Sequence, residues 1–153
     1  MKKTDHAELA MKYFMQGYNC SQSVAAAYAE ELSISTETAL RLSAGYGGGF
    51  GRMREVCGAF SGIVFVIGGL YGNTDPAGKS GFYAEIQKLA AVYKERNGGN
   101  SILCRELLGL DKPEGTPVAE KRTAEYYKKR PCAELVRIAA EITDEYIAAH
   151  PLL

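Results

Sequence analysis

Apolar residues recur along most of the chain at helical spacing. Leu9, Tyr13 and Phe14, flanked by Ala10 and Met11, mark one face of a helix over residues 5–16, which Gly17 stops. Asn19 can cap a second helix, whose Val24, Ala25, Tyr28 and Leu32 form one stripe. Ser35 to Thr38 supply a cap and an acidic first turn for a third, which runs through Ala39, Leu40 and Leu42 to Ser43. The pattern then breaks. Five of the seven residues from 45 to 51 are glycine, so this stretch is a loop suited to positive φ or close backbone approach.

A buried helix is expected over residues 53–71. Its Ile63-Val64-Phe65-Val66-Ile67 core has strand propensity. The stretch without charge, residues 56–74, is nevertheless 19 residues long, too long for one strand, and no partner strands are evident. That length could also cross a bilayer. Gly58, Ser61, Gly62, Gly68, Gly69, Gly72 and Asn73 make it too polar for a good span, and the amphipathic helices around it need a core to pack on.

A turn at residues 73–78 precedes a long helix over 80–96, with Phe82, Ile86, Leu89, Ala90 and Tyr93 on one face. A short helix over 102–108 starts from Ser101 and ends at Gly109. Residues 111–117 are linker-like, and helices over 118–128 and 132–149 complete the chain. With no internal repeat, the expectation is an all-α, single-domain bundle of six to eight helices spanning residues 1–153, with a buried central glycine-rich helix.

Charge narrows the function classes. Lys and Arg number 18, as do Asp and Glu, so the formal net charge is zero. Neither a nucleic-acid partner nor a polybasic membrane surface is indicated. Met1-Lys2-Lys3 is followed at once by Asp5, His6 and Glu8, with no apolar signal region. The expected compartment is the cytoplasm, where thiols stay reduced.

Four cysteines then need an explanation that folding does not provide. Cys20, Cys57, Cys104 and Cys132 are separated by 37, 47 and 28 residues, with no C-x-x-C pair. A zinc ribbon and a thioredoxin motif are therefore poorly supported. Their contexts say more. Cys20 follows the cap Asn19, Cys57 follows the glycine loop, Cys104 lies three residues after Ser101, and Cys132 follows Pro131. All four are expected near helix N-termini, where unpaired N–H groups and the helix dipole favour an anion such as a thiolate. Gly58 and Gly62 share a helix face, leaving room there for another helix or for a bound cluster.

Cys57-Gly58-Ala59-Phe60-Ser61-Gly62 reads C-G-A-x-x-G. With Asn19-Cys20-Ser21 before it, and Cys104-Arg105-Glu106-Leu107-Leu108-Gly109 and Arg130-Pro131-Cys132 after it, the chain resembles the C_GCAxxG_C_C family of redox-active proteins. The resemblance covers nearly the whole chain. It implies that the four cysteines are the signature residues, but it names no reaction.

Other constellations carry less. Gly78-Lys79-Ser80 lacks the glycine five positions earlier that a phosphate loop requires. The 45–51 loop lacks the G-x-G-x-x-G order. His6 and His150, expected to be exposed near the two ends, form no E-x-x-H motif and support no histidine-based triad. Two function classes stay open. The first is a redox protein whose Cys20, Cys57, Cys104 and Cys132 work as a thiol/disulfide couple or as ligands of an iron–sulfur cluster, with Gly58 and Gly62 beside the cofactor. Its partner would be another redox protein or a small thiol. The second is a non-catalytic helical module, either a homodimer or a partner of a transporter or redox enzyme. As a thiol couple, the four cysteines allow three pairings.

Overall fold

The computed structural model describes residues 4–110 and 116–152. It is all-α: α1 (His6–Met15), α2 (Cys20–Ala27), α3 (Thr36–Ser43), the glycine turn α4 (Gly47–Phe50), α5 (Gly58–Tyr71), α6 (Lys79–Arg96), α7 (Cys104–Leu107), α8 (Ala124–Lys129) and α9 (Cys132–Ala149). The Asn19 and Ser35 caps are in place and Asp5 caps α1, whereas Ser101 does not cap α7: the N-cap there is Leu103, whose N–H donates to the Ser101 hydroxyl at 2.9 Å. The Glu8 N–H donates to Asp5 at 3.0 Å and the Thr38 N–H to Ser35 at 3.0 Å. Asn19 and Gln22 form a reciprocal capping box at the start of α2. The Asn19 amide also donates to the Ala44 carbonyl at 3.0 Å, which ties that helix start to the glycine segment.

The core forms where α1, α2, α5 and α9 meet. Phe14, Val24, Tyr28, Ile63, Val66, Ile67, Val136 and Ile142 are buried in it, and α6 adds Leu89 and Tyr93. Among the described residues no helix is long and apolar enough to cross a membrane.

Several expectations about the helices need correction, among them the short helix expected over 102–108, which spans only Cys104–Leu107. The central helix begins at Gly58, not residue 53, because residues 50, 52 and 54 have positive φ and the chain then runs extended. Val56 pairs with Leu103 in an isolated antiparallel bridge, the Cys57 N–H donates to Ile102 O at 2.7 Å, and the Cys104 N–H to Glu55 O at 2.6 Å. That helix is also buried along one face rather than all round: Ala59, Ile63 and Val66 are inside, Val64 and Phe65 half-buried, and Gly69 exposed. The helix expected from residue 118 starts at Ala124, capped by Thr123. Before it, the Arg52 guanidinium holds the Thr116 and Val118 carbonyls, which are thereby unavailable to a helix. Of the linker-like stretch 111–117, residues 111–115 lie outside the described residues, as do residues 1–3.

His6 is the clearest departure. It is buried, not exposed. Its ring stacks on Tyr28 at 4.1 Å between centroids, with Nε2 2.5 Å from Glu31 and Nδ1 2.8 Å from Asp144. The Tyr28 hydroxyl lies 2.8 Å from both Asp144 and the Ala140 carbonyl. Two carboxylates and an aromatic face provide what the buried imidazole loses in water, so a polar residue near the chain start is drawn into the α1–α2–α9 contact.

Candidate functional site: a buried thiol cluster

Each cysteine stands at the start of a helix. Cys20, Cys104 and Cys132 are the first residues of α2, α7 and α9, and Cys57 is the N-cap of α5. The fold then brings these four helix starts together around one cavity of about 60 Å³, which all four cysteines line. That volume holds only a few water molecules.

Glycine makes the convergence possible. A Cβ on Gly62 would lie 2.6 Å from Val24 Cβ, and one on Gly58 would lie 3.3 Å from Cys20 Cβ. The bare face of α5 therefore lets α2 approach and sets Cys20 beside Cys57. Gly49 acts in the same way from the loop. It has φ +71°, and a Cβ there would sit 2.8 Å from Cys104 Cβ. The Val56–Leu103 bridge fixes the strand-like segment between Gly49 and α5, and with it the start of α7. Gly58 lines the thiol cavity, whereas Gly62 is filled by packing against Val24.

The four thiols are free and sit in different fields. Cys20 and Cys132 act on each other as a pair of neighbouring thiols. The Cys20 thiol holds Cys132 down at about 7 against the opposing effect of burial; Arg122 and Arg130 add positive charge, and the Tyr126 hydroxyl acts in the same direction. The same contact, together with burial, drives Cys20 well above the ordinary thiol range. Burial raises Cys57 to about 11, although the Tyr93 hydroxyl 3.2 Å away and the Phe60 and Ala59 N–H groups oppose it. Burial also raises Cys104, against the Arg54 guanidinium that donates to its sulfur at 3.6 Å. The start of α7 is only one turn long, so Arg54 rather than a helix dipole is the main positive group at Cys104.

The donor set bears on a cluster. Among the described residues no three His, Cys, Asp or Glu side chains are arranged to hold a metal ion. The four thiols share a cavity, but they are not a ligand set for a single ion.

A family model described as "Putative redox-active protein (C_GCAxxG_C_C)" matches residues 18–146. The chain belongs to the C_GCAxxG_C_C family. No curated protein and no solved structure matches it. All four cysteines fall inside the matched region, and the family's description names redox activity without a reaction. The C_GCAxxG_C_C name writes a glycine before the central cysteine. Here Gly58 follows Cys57 and, as the first residue of α5, lies against Cys20.

The groups that tune these cysteines were not legible from spacing. Lys128-Lys129-Arg130 reads as a basic run at a helix end, and Lys128 and Lys129 do occupy the last turn of α8. Arg130 does not: it is buried and pairs with Glu120. Arg122 donates to the Phe14 and Tyr18 carbonyls, both at 3.0 Å, and lies over the Phe14 ring at 4.1 Å. Tyr93 and Tyr126 read as ordinary core and rim aromatics. Arg130 beside Pro131-Cys132 was the one available cue.

Proposed function

We propose that the protein is a thiol–disulfide exchange protein in which Cys132 is the attacking thiolate and Cys20 the resolving thiol. The observation that carries this reading is the Cys20/Cys132 couple, which brings two helix starts together on one cavity, with one thiol held down at about 7 and the other pushed well up. A thiol with pKa near ambient pH combines a large thiolate fraction with retained nucleophilicity. Both cysteines are half-buried, whereas Cys57 and Cys104 are buried.

The reaction is a two-electron exchange. The Cys132 thiolate attacks one sulfur of a substrate disulfide; that S–S bond breaks, one thiolate leaves, and Cys132 is held in a mixed disulfide. Cys20 then loses its proton and attacks Cys132 Sγ. The second substrate thiolate leaves, and an intramolecular Cys20–Cys132 disulfide remains. The substrate disulfide is reduced by two electrons and the protein dithiol oxidised by two; the reverse sequence oxidises a dithiol. Arg122 and Arg130 stabilise the thiolate at the start and again each time Cys132 is expelled. Cys57 and Cys104 wall the cavity as protonated thiols, consistent with their raised pKa values.

The test is trapping of the intermediate. After reaction with a small disulfide, Cys20→Ser should accumulate a mixed disulfide on Cys132, and Cys132→Ser should accumulate none at that couple. Equal trapping in both variants would overturn the assignment.

A further inference from the structure

The thiol cavity opens beside a second, larger one of about 360 Å³, a volume within the range of small-molecule sites. Cys132 lines both. The larger cavity is also lined by Arg52, Arg54, Arg122 and Arg130, and Glu120 is its one acidic residue among the described residues. Arg52, Arg54 and Arg130 are each held by partners of their own. The arginines come from separate stretches of sequence. Arg52 and Arg54 hold φ values of 66° and 59°, a left-handed backbone that non-glycine residues adopt at a cost, and that persists where surrounding structure enforces it. Glu120 is bound by Arg130 and lies 3.9 Å from Arg52. The Arg122 guanidinium donates to two backbone carbonyls and stacks on the Phe14 and Tyr126 rings. These partners carry no formal charge, so they orient the cation without neutralising it. Arg122 lines both cavities, as Cys132 does.

We infer that the outer cavity receives an anionic low-molecular-weight disulfide, its carboxylate or phosphate held by Arg122 while one of its sulfurs faces Cys132. This deepens the exchange reading and rests on it. A cationic disulfide would meet like charge in the same space, so the site selects by charge as well as by size.

The probes are glutathione disulfide, which carries carboxylates, coenzyme A disulfide, which carries phosphates, and the cationic disulfide cystamine. Each is reacted with the reduced full-length protein, and each rate is divided by that probe's rate with dithiothreitol. At least one anionic probe should be favoured over cystamine by roughly tenfold or more, and the preference should shrink as salt rises. Whichever anionic probe is faster tells carboxylate from phosphate recognition. In Arg122→Gln the anionic-to-cationic ratio should collapse, and in Arg122→Lys much of it should survive. Using a ratio removes the general loss of reactivity expected from a less acidic Cys132. The wild-type selectivity and its salt dependence need no variant to fold. A normalised ratio near one, or a preference for cystamine, overturns the substrate class and leaves thiol exchange standing. Absence of exchange with all three probes overturns thiol exchange itself, and the substrate class with it.

Discussion

Cys20 and Cys132 begin two helices that lie far apart in sequence, yet they line one cavity as a pair of thiols of which one is acidic and the other not. The contact is asymmetric because Arg122 and Arg130 act on Cys132, the residue that follows Pro131 at the start of α9. Alkylation by iodoacetamide should therefore fall first on Cys132, with a rate that rises through a midpoint of about 7. Cys20→Ala removes that neighbouring thiol, and the midpoint should move upward toward the ordinary thiol value of 9.0. First modification at Cys57 or Cys104 would contradict the assignment.

Gly62 is expected to be intolerant of even one methyl group. The added Cβ would lie 2.6 Å from Val24 Cβ, and neither helix has a flexible side-chain end that could move aside. Gly62→Ala should cost roughly 1–3 kcal/mol by overpacking. Because α2 and α5 carry Cys20 and Cys57, it should also disturb Cys132 reactivity. Urea unfolding and the alkylation profile measure the two effects separately. The exposed Gly81, with no atom within 4 Å of an added Cβ, is the control: Gly81→Ala should be neutral or stabilising.

The His6 contact gives stability a pH dependence. Burial lowers the imidazole pKa, but the hydrogen bonds and charges of Asp144 and Glu31 outweigh it and raise the folded value above 6.5. The folded state then binds the proton more tightly than the unfolded state. The contribution to stability is fully present below the unfolded pKa of 6.5 and is lost as pH rises through the folded value. Unfolding midpoints on either side of that window should differ for the wild type. For His6→Gln they should differ less, with the main loss of stability at the acidic end.

Much of this architecture was legible because it depends on local signals. Apolar periodicity and caps placed α1, α3, α6 and α9 to within about two residues, and Asn19 and Pro131 marked where Cys20 and Cys132 would stand. The convergence of four helix starts was only a hypothesis from sequence, because it depends on which helices meet. Gly49, Gly58 and Gly62 hinted at close approach without naming what approaches. The start of α5 was misplaced because positive φ at Arg52 and Arg54 has no sequence signal comparable to glycine. The Val56–Leu103 bridge was missed because two single extended residues leave no alternating pattern. His6 and Arg122 were unreadable for a different reason: their partners, Asp144 for one and Phe14 and Tyr18 for the other, lie more than 100 residues away.

The central claim is that Cys20 and Cys132 form the working couple. It is tested most directly by poising the full-length protein against graded ratios of reduced and oxidised dithiothreitol, quenching with acid, alkylating the free thiols and mapping the cysteine peptides by mass. The account expects a single two-electron transition that links the Cys20 and Cys132 peptides, while Cys57 and Cys104 are recovered alkylated, and expects Cys20→Ser to abolish that transition. A dominant Cys57–Cys104 link, or four thiols that stay reduced across the series, would contradict it.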